Sequence, residues 1–235
     1  MKEYRNICVL KAFELDEKQS EALRNMSSDG VFADITENEG DFTVTVASET
    51  DEIAFNDAVN DAVRICGDKL YDDSGQSLAS KVVETLSAEA KTLSVAESFT
   101  GGMICSDIVG VSGASAVLYE GAVTYSANAK IRRLHVKART LETYGAASRQ
   151  VCAEMLDGLI STRMTDYAIA TTGCAGPDTD EFGTPVGRCF IGVADRNEKQ
   201  VFEYDFDEDR NGLRRRAANT ALWQLLAFSR NKNEN

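Results

Sequence analysis

Chemistry in this sequence gathers in polar, glycine-bearing segments that directly follow apolar runs. The first is Ala96-Glu97-Ser98-Phe99-Thr100-Gly101-Gly102. A hydroxyl at the end of a strand, followed by two glycines that open a helix, can act as a nucleophile. The helix-start N–H groups near Thr100, Gly101 and Gly102 can then stabilise an oxyanion or hold a phosphate. The same residues also suit a plain helix cap, and spacing alone leaves both readings open. The second segment is Thr124-Tyr125-Ser126-Ala127-Asn128-Ala129-Lys130, placed where open α/β sheets gather ligands. Serine at its free pKa is a poor nucleophile and needs a base. A lysine buried among apolar groups sheds its proton more readily and can be that base. Lys130 is the candidate, against the plainer reading of a solvated helix lysine.

The third segment is Thr171-Thr172-Gly173-Cys174-Ala175-Gly176-Pro177, where Gly173 and Gly176 free the backbone to wrap a ligand. Cys174 has no histidine beside it and reads as a packed turn residue. The fourth is Asp209-Arg210, followed by Arg214, Arg215 and Arg216. Asp209 suits a helix cap, and Arg210 in the first turn can reach a phosphate or a loop carboxylate. A salt-bridged, solvated face is the plainer alternative.

Composition removes several competing chemistries. His135 is the single histidine and is followed by Val136-Lys137, so there is no HExxH, no Cys2His2 finger and no zinc-deaminase signature. The six cysteines, Cys8, Cys66, Cys105, Cys152, Cys174 and Cys189, are too far apart for paired-cysteine zinc motifs. They read as free buried thiols of a reducing compartment. The net charge is −13, and it is lopsided: residues 1–85 carry −11 and residues 86–235 carry −2. An acidic front half disfavours nucleic acid, whose binding rests on lysine and arginine. No apolar run approaches the roughly 20 residues that span a bilayer. The opening residues, Met1 to Leu10, are too short for a secretory core.

The elements that must position these residues follow from periodicity. A strand over 6–14, a helix over 16–26, strands over 31–35 and 42–47 and a helix up to Gly67 form a small βαββα unit. Tyr71 to Ser77 reads as a polar boundary, separating a domain over 1–76 from one over 77–235. The second part alternates. The spacing predicts helices over 78–88, from Gly102 to about 109, near 127–134 and 138–144, over 148–163 and over 211–228. Strands are expected over 92–96, 116–125, 167–171, 189–194 and 201–205, which makes a layered α/β domain. The tail from Ser229 to Asn235 reads as polar and frayed.

Together these segments resemble the CinA C-terminal family, whose characterised enzymes are nicotinamide-nucleotide amidases. The resemblance rests on Ala96-Glu97-Ser98-x-Thr100-Gly101-Gly102, Tyr125-Ser126 with Lys130, and Gly145-Ala146-x-Ser148. Thr172-Gly173-x-Ala175-Gly176-Pro177, Pro185-Val186-Gly187 and Asp209-Arg210 complete it, in that order. The front part is similar to the KH-type domain that precedes this domain in full-length CinA proteins. The molybdopterin-binding-like domain that opens those proteins is missing from the sequence, and the pyrophosphatase activity associated with it is not expected.

The resemblance implies hydrolysis of the carboxamide of nicotinamide mononucleotide to nicotinic acid mononucleotide and ammonia. It makes Ser98 the nucleophile, Lys130 the base and Tyr125 an assisting residue. Thr100, Gly101, Gly102, Asn128, Thr172, Gly173, Ala175, Gly176 and Arg210 become the substrate-binding set. No metal and no cofactor are implied. The expected setting is cytoplasmic, with a pyridine mononucleotide as small-molecule substrate, no nucleic acid and no membrane. A homodimer is expected from exposed domain faces.

Four departures bear on that reading. Phe99 stands where a cysteine is usual, Ala127 where an asparagine is usual, and Glu208 where a glycine precedes Asp-Arg. Asp178-Thr179-Asp180-Glu181-Phe182 replaces a glycine-rich stretch. They keep an alternative open: a catalytically inactive nucleotide-binding or interaction protein with the same fold. An RNA-binding reading of the front domain lacks a GxxG loop and faces its charge of −11.

Overall fold

The computed structural model describes residues 4–27, 30–49 and 52–233. It divides into two compact units, the first ending at Lys81 and the second beginning at Val82. The division falls inside one continuous helix. Met1 to Glu3, part of the segment read for a secretory leader, lies outside the described residues.

The first unit contains β1 (Asn6–Phe13), α1 (Glu17–Arg24), β2 (Val31–Asn38), β3 (Asp41–Ser48), α2 (Glu52–Cys66) and β4 (Leu70–Asp72). Its sheet order is β2-β3-β1-β4, antiparallel throughout. Strands β2 and β3 form a hairpin because Glu39 and Gly40 both take positive φ, 50° and 80°, as the tightest hairpin turns require. Asp16 and Gln19 close a reciprocal capping box on α1. Alternation along β1 and β3 sends Leu10, Ala12, Val44 and Val46 to a core shared with Leu23, Ala62 and Cys66.

Strand β4 carries the first unit's sheet into the start of the polar stretch from Tyr71 to Ser77. Tyr71 and Asp72 are buried. The Tyr71 hydroxyl donates to Asp41 at 2.7 Å, and the Asp72 carboxylate accepts from the amides of Ser74 and Gln76, each at 2.8 Å. The buried Asp72 thus anchors a stretch whose next three residues are exposed.

The second unit begins in α3 (Leu78–Ala88), which crosses the division. It continues with β5 (Leu93–Glu97), α4 (Met103–Val109), β6 (Leu118–Val123), α5 (Ala127–Leu134) and α6 (Ala138–Tyr144). There follow α7 (Arg149–Ile160), β7 (Tyr167–Gly173), β8 (Arg188–Ala194), β9 (Lys199–Asp205) and α8 (Arg210–Asn233). The sheet order is β6-β5-β7-β8-β9. Strand β5 runs parallel to β6 and β7, whereas β8 and β9 are antiparallel additions. Helix α8 runs on to Asn233, through most of the segment expected to fray; residues 234–235 lie outside the described residues.

Side-chain alternation makes this a three-layer α/β/α unit. Ala96, Ala168, Ala170, Phe190 and Ala194 share a core with Cys152, Leu156 and Leu159 of α7. Gly192 lies on the same face, where a Cβ would come within 2.7 Å of Leu156, so glycine lets α7 approach the sheet. Ile169, Ile191 and Val193 are buried on the other face, the one left for α4 and α8.

Candidate active site

The site forms at the ends of β5, β6 and β7, where the parallel strands point their C-termini. Alternation gives two consecutive residues opposite duties. Glu97, the last residue of β5, turns to the α4 side. Its wholly buried carboxylate accepts from the N–H groups of Gly102 at 2.8 Å, Ile104 at 3.3 Å and Cys105 at 3.0 Å. With three amide donors on it, this carboxylate caps the start of α4. Ser98, the next residue, meets α5 instead.

Lys130 projects from α5 and is fully buried. Its Nζ lies 2.8 Å from Ser98 Oγ, 2.7 Å from the Thr124 carbonyl and 3.3 Å from the Tyr125 carbonyl. Burial lowers its pKa to about 8, opposed by the neighbouring Cys152 sulfur. Burial pushes the Cys152 thiol itself up to about 12, so at neutral pH it holds its proton and supplies no anion. A neutral amine has two N–H donors and one lone pair. The two carbonyls can only accept, so they take the two donors and leave the lone pair to the Ser98 hydroxyl. This arrangement can remove a proton from a serine without histidine or metal.

Residues of α8 reach back over the site. Arg210 donates to the carbonyls of Ala175 and Gly176 and, at 3.3 Å, to the Tyr125 hydroxyl. It thereby links the loop after β7 to the end of β6. Arg214 donates through Nε to the Phe99 carbonyl at 3.0 Å and through Nη2 to the Thr100 carbonyl at 3.1 Å. Gly101 makes this approach possible: its φ is +65°, and a Cβ there would sit 2.9 Å from Arg214 Nη2.

Ser98, Lys130 and the Tyr125 backbone therefore converge, as do Arg210, Ala175, Gly176 and the Tyr125 hydroxyl. Several other expected positions do not join them in the expected way. The Tyr125 side chain is 59% exposed, and its hydroxyl bonds Arg210 rather than Ser98 or Lys130. The Gly102 amide is taken by Glu97, and the Gly101 amide donates to the Ser98 carbonyl at 3.1 Å. The two glycine amides expected to serve a ligand are thus engaged within the protein. The Thr100 hydroxyl pairs with that of Thr171 at 2.8 Å, and the Thr172 hydroxyl donates to Ala146 at 2.7 Å. Both hold loops together. Gly173 packs against β8, where a Cβ would meet Cys189 at 2.5 Å. Asn128 is exposed in the first turn of α5, and Ser126 caps that helix by accepting from Ala129. His135 is exposed at the C-cap of α5 with φ 57°.

Two contributors were quoted in the sequence motifs without a role of their own: Glu97 inside Ala96 to Gly102, and Arg214 among the arginines after Asp209.

Comparison with known proteins places this arrangement among relatives. The CinA C-terminal domain matches residues 75–228. A protein named as competence-damage inducible from Caldicellulosiruptor saccharolyticus is 36% identical over 211 residues, covering 88% of this chain and 51% of its own length. A CinA-like protein of Fusobacterium nucleatum is 48% identical over 135 residues, 57% of this chain and 33% of its own. The chain spans about half the length of the curated relatives it matches over most of its sequence. Among solved structures, the competence/damage inducible protein CihA of Agrobacterium tumefaciens superposes with a TM-score of 0.62 at 34% identity. That match covers 65% of this chain and 93% of that one. A CinA superfamily protein from Escherichia coli gives a TM-score of 0.62 at 34% identity over 63% of this chain and 87% of its own.

Proposed function

The chain belongs to the CinA C-terminal domain family, and from that premise we propose that it is an amidohydrolase acting on the carboxamide of nicotinamide mononucleotide. The observation that carries the reading is the buried 2.8 Å contact between Lys130 Nζ and Ser98 Oγ. Neutral Lys130 takes the Ser98 proton as Oγ attacks the carboxamide carbon. The tetrahedral intermediate collapses, the C–N bond breaks, and the lysine proton passes to the nitrogen, which leaves as ammonia. Water then attacks the acyl-enzyme, Lys130 again accepts a proton, and Ser98 regains its hydroxyl as nicotinic acid mononucleotide departs. Electrons and protons balance with water as the only co-reactant, and no cofactor or metal is required by this scheme.

Arg210 is the residue we assign to substrate contact, because its cationic head bridges the loop at Ala175 and Gly176 to Tyr125 at the rim. The front unit is read as a KH-type domain. The protein is read as a cytoplasmic homodimer, which analytical ultracentrifugation tests. No described helix is long and apolar enough to cross a membrane.

The decisive experiment is ammonia release from nicotinamide mononucleotide by wild type, Ser98→Ala and Lys130→Ala. Wild type should turn over, and each variant should lose at least about 1,000-fold in kcat, since members of a catalytic unit fail together. Full activity in Ser98→Ala would remove Ser98 as nucleophile. A wild type that binds the nucleotide in calorimetry but releases no ammonia is instead a nucleotide-binding protein.

A further inference from the structure

Of the three helix-start amides beside the nucleophile, two are occupied. Gly102 N–H is held by Glu97, and Gly101 N–H closes a turn onto the Ser98 carbonyl. In that turn, Ser98 to Gly101, the central peptide joins Phe99 to Thr100, and such a peptide has no partner within the turn. Among the described residues the Thr100 N–H has no acceptor, although Thr100 is fully buried. That N–H has no accessible surface for a substrate atom to reach, so the turn's outward contacts are those of its carbonyls.

The orientation of that N–H is fixed from outside the turn. A trans peptide is planar, with its C=O and N–H pointing in opposite directions. Arg214 holds the Phe99 carbonyl at 3.0 Å and the next carbonyl, Thr100, at 3.1 Å. Two parallel donors from one planar guanidinium fix direction as well as distance. The Thr100 N–H is therefore turned away from Arg214. Asn211 holds the guanidinium in turn, through its Oδ1 at 3.2 Å from Nη1.

We propose that Arg214 is a positioning residue: its grip on the Phe99 and Thr100 carbonyls braces the turn that carries Ser98 and sets the Ser98 hydroxyl against Lys130. The proposal rests on the reading of Ser98 as nucleophile.

The test compares wild type, Arg214→Lys and Arg214→Ala with nicotinamide mononucleotide and with its 3-carboxaldehyde analogue. The aldehyde adds Ser98 to form a tetrahedral oxyanion, and the amide's KM does not report that oxyanion. We expect kcat to fall about 100-fold in both variants, the scale of a nucleophile misplaced by about 1 Å, with KM within about threefold. Aldehyde affinity should fall by a similar factor. Lysine should not rescue, because one ammonium cannot span both carbonyls in the fork geometry, whereas added guanidinium ion should partly restore Arg214→Ala. Arg214→Lys keeps charge and bulk, so it serves if Arg214→Ala fails to fold. Full kcat in Arg214→Lys, or a loss confined to KM, overturns the proposal alone. A wild type that releases no ammonia overturns the reading of Ser98, and this proposal with it.

Discussion

Lys130 reaches three oxygens with no carboxylate among its contacts, and its pKa falls to about 8 because burial disfavours the charged amine. The base form is the neutral one, so kcat/KM should rise about tenfold per pH unit below 8 and level off above it. A pH–rate profile checks this, and one that stays flat between pH 6 and 9 rules Lys130 out as the titrating base. The same shift has a stability sign. The unfolded chain holds the proton up to about 10.5, so between 8 and 10.5 it binds more protons than the folded one, and stability from this group rises with pH. Below 8 the full cost, about 3 kcal/mol, remains. Relative to Lys130→Met, wild type should gain about that amount between pH 7 and 10.5 in urea unfolding. The identities of Ser98 and Lys130 were legible in the sequence because both belong to ordered motifs. The Thr124 and Tyr125 carbonyls that receive the amine were not, since backbone acceptors leave no residue-type signature.

Helix α4 starts where the Glu97 carboxylate meets three of its amides. Glu97→Gln keeps the size but turns an NH2 group toward N–H donors. It should cost about 3 kcal/mol of stability, as a buried charge-assisted set is lost, and denaturant unfolding measures it. At the other end of the turn, Gly101→Ala places a methyl 2.9 Å from Arg214 and forces a side chain into φ +65°. The left-handed backbone alone costs about 1–2 kcal/mol, and the displaced guanidinium should reduce ammonia release more than the stability loss explains. Comparing melting temperature with kcat for this variant separates the two effects. Most elements were legible from periodicity, including α5 and α6 to the residue. The three-residue β4 was not, because it lies in a polar stretch and is recognised only by its pairing with β1. The donors before α4 were only partly legible for a related reason: the sequence offers glycines next to a serine, but it does not show that Glu97 takes the Gly102 amide and the Ser98 carbonyl the Gly101 amide.

On the scale of the whole molecule, every residue assigned to the site lies in the unit that begins at Val82. The matched family domain begins at 75, and the Agrobacterium structure is 93% covered by its match to 65% of this chain. A fragment over 75–235 should therefore fold and retain kcat within about threefold, since it holds the whole matched domain and every residue assigned to the site. Circular dichroism and the ammonia assay check this, and an unfolded fragment would make the front unit part of the fold's stability. The acidic character of that front unit was plain from composition, and Arg210 was marked by its motif, whereas nothing in the sequence separated Arg214 from Arg215 and Arg216.

Arg214 reaches a carbonyl 115 positions earlier in the chain, and Arg210 lies on the same late helix. On the ribosome, hydroxyl and amine can meet well before either guanidinium has been made. A newly emerging polypeptide thus carries the turn after β5 without its brace, and a protease that clips within α8 would cut into one layer of the core along with that brace.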